Sequence, residues 1–425
     1  MTSLSQAKDA LLSKQYDELI AQYYDDVDRA RDRILKTVDA FAQQFGSDRD
    51  VMLCSAPGRT EVGGNHTDHQ RGTVLAAAVN LDIIAIASPN SDGVIRILSK
   101  GLPICVVELS GTAPVECEKG TSAALIRGIA ARFAELGLTV GGFDAYTVSD
   151  VPRGSGLSSS AAFETLVGTI LSHIYNDGSV DAVTIAQIGQ FAENNYFGKP
   201  CGLMDQMASS VGGFTHIDFA DPDAPAVRKL SCNIEQYGFA LCIINAGGSH
   251  ADLTDEYAAI ASEMKSVANA MGAEYLAEIE SDDFYAAIPA LRGKVSDRAL
   301  LRAMHFFDDT QRAISEAATL ERGDFERFLS FVRRSGRSSM ALLQNIYPAN
   351  DPNERSVSLA LAVCSDMLFD GVGAWRIHGG GFAGTVQAFV PIGDLDRFCR
   401  RIESIFGDGS CYVLRIREQG GSRIF

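Results

Sequence analysis

The chain has 425 residues, enough for two domains or one large bilobal unit, and its 46% apolar and 21% charged side chains are the balance of a protein with a substantial core. A formal net charge of −17 argues against nucleic acid or an acidic membrane as partner, while leaving room for a local basic pocket that holds an anionic substrate. There is no early apolar signal region and no apolar run of transmembrane length, so the expectation is a soluble, cytoplasmic protein. The nine cysteines (54, 105, 117, 201, 232, 242, 364, 399 and 411) form no C-x-x-C pair, and several sit among apolar residues. They read as reduced core thiols rather than as a disulfide framework or zinc site.

In chain order, Leu4 to Phe45 is expected to be helical, with Ile20, Tyr23, Tyr24, Val27, Ala30, Ile34, Val38 and Phe41 recurring at three- and four-residue steps. Met52 to Gly72 changes character and reads as a polar, Gly-rich loop containing Arg59, His66 and Asp68. Strands are expected at Val74–Val79, Leu81–Ser88, Val94–Leu98 and Ile104–Leu109, then a helix at Thr121–Leu136 and a strand at Phe143–Ser149. Helices follow at Ser160–Tyr175 and Val183–Phe197, with a new one starting after the Pro200–Gly202 break. Strands are expected at Phe214–Asp218 and Tyr237–Asn245, and a helical region at Asp252–Met271 and Arg298–Phe331. Strands at Val372–Ile377 and Thr385–Val390 flank a Gly-rich turn; a helix at Asp394–Phe406 and a strand at Ser410–Ile416 close the chain. Strands and helices without strict alternation favour α+β, with a boundary placed in the Asp/Pro-rich stretch Asp218–Ala226.

The stretch Val151-Pro152-Arg153-Gly154-Ser155-Gly156-Leu157-Ser158-Ser159-Ser160-Ala161-Ala162 joins glycines and serines to an apolar helix former. Glycines let the backbone approach a ligand closely, and the unpaired N–H groups of a helix start attract anions. Its residues alone leave open an ordinary turn or a phosphate site; no Lys-Ser or Lys-Thr follows, so it is not a Walker loop. Asp205 follows a helix break, where a carboxylate is either a cap or a buried ionisable group, and Glu193 on the preceding helix reads by itself as a solvated residue.

Together, separated segments resemble the galactokinase branch of the GHMP small-molecule kinases. Pro57-Gly58-Arg59 through His66-Thr67-Asp68 resembles that branch's sugar-binding motif, Gly154–Ala161 its phosphate loop, and Gly379-Gly380-Gly381-Phe382-Ala383-Gly384-Thr385 its third, glycine-rich motif. Pro200-Cys201-Gly202-Leu203-Met204-Asp205-Gln206 is similar to the segment carrying the catalytic Asp, and Asn245…His250…Glu256-Tyr257 to the one whose Tyr contacts the sugar. The resemblance implies a two-lobed α+β fold with the active site between lobes: residues 1–220 an N-terminal lobe (1–50 an extra helical segment) and 221–425 a C-terminal lobe.

It implies transfer of the ATP γ-phosphoryl group to the anomeric hydroxyl of a hexose, galactose first, with sugar and ATP as the small-molecule partners. In that scheme Asp205 takes or orients the hydroxyl proton and Arg59 holds Asp205 and the transferring group. Gly154, Ser155, Gly156, Leu157, Ser158, Ser159, Ser160 and Ala161 wrap the ATP phosphates, and Ser160 and Glu193 hold Mg²⁺. Asn65, His66, Asp68, Tyr257, Gly380 and Gly381 bind the sugar. The chain departs from the branch at Glu61, Gly63, Asn65 and His69, which stand for Asn, Ile, Glu and Tyr. Asn65 replaces a Glu that contacts the sugar near its C6 hydroxyl, which extends the expectation to galacturonate. Lys119–Leu125 stands where the branch carries a Trp-Ala-Asn-Tyr-like run near the adenine, and the single tryptophan is Trp375. A non-catalytic sugar sensor of the same fold is the competing reading.

Overall fold

Three helices, not one, form the N-terminal segment of the computed structural model, which describes residues 1–152, 154–199, 201–221, 224–248, 253–351 and 353–425. A short strand β1 (Thr2–Ser3) leads into α1 (Leu4–Leu12), α2 (Asp17–Ile20) and α3 (Val27–Phe45). Ser3 caps α1 by accepting the Gln6 N–H, Lys14 turns the chain through left-handed backbone, and Asp26 caps α3 by accepting the Arg29 N–H. These caps break the continuous helix expected from Leu4 to Phe45. The apolar stripe itself is present: Ile34, Val38 and Phe41 are buried against Val51, Leu53, Ile84 and Ile86. Asp82 pins the segment, accepting from Tyr24 (2.5 Å) and Arg33 (2.6 Å) and, from the far end of the chain, Arg417 (2.9 Å). Burial pushes its carboxyl up, but the two guanidinium groups hold it below the usual range.

The strands β2 (Asp50–Gly63), β3 (Thr73–Pro89), β4 (Val94–Ser99), β5 (Cys105–Glu108), β6 (Phe143–Ser149), β7 (Phe214–Asp218) and β8 (Ala226–Leu230) join β1 and Ser422–Arg423 in one nine-stranded sheet. Along β2 and β3 the side chains alternate between two cores: Met52, Cys54, Ala56, Ala85 and Ala87 face one, and Val51, Leu53, Ile84 and Ile86 face α1–α3 on the other. Burial on both faces explains why these strands read as unbroken apolar runs. Helices α4 (Ser122–Glu135), α5 (Ser159–Tyr175) and α6 (Ala182–Ala192) fill the first core, and α7 (Met204–Val211) packs on β2 and β3. Two expectations change here. Most of the polar loop expected at 52–72 is strand, and Val74–Val79 and Leu81–Ser88 are one strand paired to β7 at its start and β6 at its end.

The second half supplies β9 (Phe239–Gly247), α8 (Thr254–Ala270), α9 (Ser281–Leu291), α10 (Asp297–Glu321), α11 (Phe325–Ser338), α12 (Ser356–Val372), β10 (Ala374–His378), β11 (Gly384–Pro391), α13 (Leu395–Phe406) and β12 (Cys411–Leu414). The strands form an antiparallel sheet in the order β10-β11-β9-β12. Leu361, Phe398 and Ile402 from α12 and α13 cover one face, and on the other Phe328 meets Phe389 edge to face at 5.3 Å. The helical run expected at 298–331 is a hairpin turned at Gly323, and the sequence reading has no counterpart of β8, α9 or α12.

The division expected at 220/221 falls inside a hairpin. Asp218 pairs with Ala226 across β7 and β8, so the chain stays in the first sheet through Leu230, and Ser422–Arg423 returns to it. No helix among the described residues is long and apolar enough to cross a membrane.

Candidate active site

β2 runs beside β3 on both sides of a bulge at Pro57/Arg59, and at that bulge the Arg59 N–H donates to the Leu157 carbonyl of the glycine–serine loop (3.0 Å). The Arg59 guanidinium then grips Asp205 in a fork, Nε to Oδ1 at 2.7 Å and Nη2 to Oδ2 at 2.6 Å, while Nη1 donates to the Gly156 carbonyl. Ser158 Oγ donates to Asp205 Oδ2 at 2.7 Å. Asp205 lies in the first turn of α7, where a carboxylate is favoured by the helix dipole. Its side chain keeps 30% exposure against 9% for Arg59, so the carboxylate is the accessible member of the pair. Burial pushes the Asp205 carboxyl up, but the charge and hydrogen bonds of Arg59, with Ser158 and Lys199, hold it below the usual range. An ionised carboxylate with an open side is a proton acceptor.

The loop that touches this pair is held in unusual backbone. Gly156 has φ +72, and a Cβ there would meet Thr385 Oγ1 at 2.7 Å and His378 Nδ1 at 3.0 Å, so only glycine fits. Ser158 takes left-handed backbone (φ 54, ψ 65) although it carries a side chain, a conformation worth about 1–3 kcal/mol of strain that persists where surrounding contacts over-determine it. Its bond to Asp205 is one such contact. Ser158 makes no side-chain cap to α5, which leaves the first N–H groups of that helix uncapped by it, the kind of helix start that suits an anion, and Gly154 has open space around it.

Below the loop is a pair of acids. Glu193 opens a wide π-type turn (Glu193–Phe197) at the end of α6 and is 3% exposed, not the solvated residue its local sequence suggests. Glu164 lies one helical turn beyond Ser160 on α5, also buried. Gln206 Nε2 donates to both, to Glu164 Oε2 at 2.9 Å and Glu193 Oε2 at 2.8 Å, while Glu164 Oε1 has no partner among the described residues. Burial and then the Glu193 charge push the Glu164 carboxyl well up. An orphaned buried carboxylate oxygen beside a second carboxylate and a serine is an oxygen set that suits a hard divalent cation. The sequence reading missed Glu164, although its spacing from Ser160 was a usable signal.

The sugar-loop residues and the third motif meet at the other side of Arg59. His66 Nε2 donates to the Gly380 carbonyl (2.8 Å), which fixes its tautomer, and Tyr257 donates to the Gly381 carbonyl (3.0 Å). Burial and then His69 hold the His66 imidazole below its usual range, so it is neutral near pH 7. Gly381 (φ +86) passes 2.3 Å from the Asn345 carbonyl by its ideal Cβ position, again a glycine-only site. Asp68 reaches Gly202, just ahead of Asp205: a Cβ on that glycine would lie 2.1 Å from Asp68 Oδ2. Pro200 and His250, quoted in the sequence motifs, lie outside the described residues.

The structure differs from expectation at Asn65, which is fully enclosed. Its Nδ2 donates to Glu61 Oε1 (2.9 Å) and the Gly379 carbonyl (2.8 Å), and its Oδ1 accepts from Asn345 (2.8 Å) and Ser339 (3.3 Å). All four hydrogen-bonding positions of the amide are spent on protein, so Asn65 ties the sugar loop to the third motif and has no direct contact to offer a sugar. Behind it stands a buried charged network. Glu61 pairs with Arg376 (2.8 Å), its carboxyl pushed up to about 7 by burial against the pull of Arg376 and Arg59. His305, Asp309, Arg312 and Glu316 form one buried stripe on α10, His305 donating to the Asn65 carbonyl (2.8 Å) and Asp309 accepting the Asn65 N–H (2.9 Å). These residues were also missed: a charged stripe at helical spacing reads as a solvated face.

Against known proteins, the description "GHMP kinases N terminal domain" matches residues 122–213, and the "Galactokinase galactose-binding signature" matches residues 39–89. The galactokinase of Homo sapiens is 32% identical over 385 residues, spanning 88% of this chain and 92% of that one. The galactokinase of Bos taurus is 30% identical over 396 residues, spanning 91% and 95%. Among solved structures, Lactococcus lactis galactokinase complexed with galactose superposes with a TM-score of 0.78 at 21% identity, over 92% of this chain and 99% of that one. Mevalonate kinase of Methanococcus jannaschii follows the same fold with a TM-score of 0.60 at 15% identity, over 86% and 98%.

Proposed function

The chain belongs to the galactokinase family of the GHMP kinases, and we propose that it is an ATP-dependent sugar 1-kinase that phosphorylates the anomeric hydroxyl of galactose to give galactose 1-phosphate. One observation carries the reading: the accessible carboxylate of Asp205, forked by Arg59 and bonded by Ser158, lies where the glycine–serine loop meets the sugar loop. Phosphoryl transfer asks for positioning and charge neutralisation more than for covalent help, and this junction offers both.

Asp205 accepts the C1 hydroxyl proton on a carboxylate oxygen, or orients that hydroxyl toward the phosphoryl group. Arg59 keeps Asp205 ionised and presents positive charge to the transferring group. The uncapped N–H groups at the start of α5 and the open backbone at Gly154 cradle the ATP phosphates, and Ser158 couples that cradle to the base. Glu193 and Ser160, with Glu164 behind them, hold Mg²⁺, which supplies charge neutralisation on the phosphates. The unpartnered oxygen of Glu164 supports that assignment. His66, Asp68, Tyr257 and the Gly380–Gly381 backbone line the sugar side, and Asn65 acts as a positioning residue. The galacturonate alternative rested on Asn65 facing C6; with its amide fully engaged by protein, no observation favours the acid sugar.

The test is ADP release over a panel of hexoses and uronic acids, with Asp205→Asn as control. Galactose-dependent turnover that collapses in the variant supports the reading. Equal silence of both proteins on every sugar would move a non-catalytic sensor ahead of it.

A further inference from the structure

The second sheet carries a group of thiols that the kinase chemistry does not use. Cys242 on β9, Cys411 on the edge strand β12 and Cys399 on α13 place their three sulfurs within 4.8 Å of one another, and the Cys399 and Cys411 sulfurs are 3.5 Å apart. The strand register makes this a built arrangement. Cys411 stands opposite Ile244 and Val413 opposite Cys242, so Cys242 and Cys411 share the sheet face that α13 covers with Phe398 and Ile402. A tight turn locks helix to strand, the Gly409 N–H donating to Glu403 of α13 (3.1 Å). Cys242 is fully buried while Cys399 and Cys411 are half-buried, which gives a closed floor and an open entry. A fourth thiol, Cys364 of α12, packs in the same apolar cluster.

We propose that Cys242, Cys399 and Cys411 form a three-thiolate site for one thiophilic closed-shell cation, Cu⁺ or Zn²⁺. Soft sulfur donors select such ions over Mg²⁺ or Ca²⁺. A metal–sulfur bond of about 2.3 Å sets thiolates about 3.8–4.0 Å apart in trigonal or tetrahedral geometry, so the observed separations need only small side-chain rotations to close on an ion. Binding forms three metal–sulfur bonds and releases the thiol protons to solvent, with no change of oxidation state. Two half-buried thiols alone would suit a disulfide; the third sulfur converging on the same point is what favours an ion. The site is separate from the Glu193 region and would brace β9 against β12 and, through the β9–β11 pairing, the sheet that carries the Gly379–Gly381 turn.

The experiment uses the full chain, reduced and stripped of metal, titrated separately with Cu⁺ and Zn²⁺ against chromophoric chelators of known affinity. Co²⁺ serves as a spectroscopic probe, because thiolate-to-metal charge-transfer intensity reports the number of sulfur ligands. One equivalent bound per chain, a rise in Tm of a few degrees with the ion, and three-thiolate charge-transfer intensity support the site. The binding should vanish in Cys399→Ser and in Cys411→Ser, each shown to be folded by circular dichroism, and persist in Cys117→Ser, whose thiol is exposed elsewhere. The affinity order of the two ions decides which is the ligand. Absence of stoichiometric binding, or binding that survives both variants, overturns the proposal. So does a Cys399–Cys411 disulfide formed with peroxide in a protein without metal affinity, which would make the pair a redox site.

Discussion

Asp205→Asn is the sharpest perturbation, because it keeps the shape of the side chain and removes its charge and basicity together. Loss of a general base lowers kcat by about 10²–10⁴, equivalent to about 3–5.5 kcal/mol of transition-state stabilisation. The structural consequence is smaller. Breaking a fully buried ion pair costs about 3–5 kcal/mol, but Asp205 is 30% exposed and water can reach the Arg59 guanidinium, so about 1–3 kcal/mol is expected. The variant should therefore fold and still bind galactose, with the deficit in kcat rather than KM. The pH dependence separates base from scaffold. Asp205 has a depressed carboxyl, so its ionised contribution is present above the unfolded value of about 3.9 and is lost as pH falls through the lower folded value. Ser158→Ala removes one bond that favours the charged form and should move the acid limb of kcat upward in pH. Steady-state ADP release from pH 3 to 8, with circular dichroism at each pH, reads all of this. A kcat for Asp205→Asn within threefold of wild type, or an acid limb unmoved by Ser158→Ala, would refute the assignment.

Gly156→Ala and Gly154→Ala should separate strain from collision: both glycines have φ above +70, but only Gly156 is backed by Thr385 and His378. Alanine at 156 is expected to raise the KM for ATP at least tenfold and to lower Tm, and at 154 to act mainly through about 1–2 kcal/mol of backbone strain; equal effects would remove the wall from the argument. Glu193→Gln should raise the Mg²⁺ concentration for half-maximal activity by tenfold or more with little change in the galactose KM, because it exchanges a charged hard ligand for a neutral one; an unchanged Mg²⁺ dependence at saturating ATP would take Glu193 out of the metal site. Glu316→Gln tests the network behind the sugar loop. Burial, then Asp309, pushes the Glu316 carboxyl well up, and neither oxygen has a protein partner among the described residues. Its contribution to stability is therefore full below the unfolded value of about 4.3 and is lost as pH rises toward the folded one. The Tm of the Gln variant relative to wild type should climb between pH 5 and 8, and a difference that stays flat with pH would mean Glu316 is ionised in the fold.

What the sequence made legible follows from where its signals are local. Phe143–Ser149 and the helix after the glycine loop are bounded by turns and carry their own periodicity, and they stand where expected. β2 was hidden because its polar residues, Arg59, Thr60 and Glu61, are buried and satisfied by partners far along the chain, Asp205, Gln387 and Arg376. Alternation of apolar and polar residues cannot reveal a strand whose polar side faces a polar core. α12 was hidden for the opposite reason, since its largely apolar sequence has no strong periodic face to detect.

The same distinction divides the site. Gly156, Ser158, Arg59 and Asp205 were visible as motif residues, but the contact that makes them a unit is a fork across 146 positions of sequence. Asn65 shows the limit most plainly. As a letter in a motif it occupies a sugar-contact position and invites an argument about substrate charge. In the fold its amide is enclosed by Glu61, Gly379, Asn345 and Ser339, and any effect it has on the sugar must pass through the loop it holds. A substitution in a binding motif changes specificity directly only when the new side chain still faces the ligand; when neighbouring substitutions such as Glu61 draw it inward, the motif position survives while its job moves from contact to support.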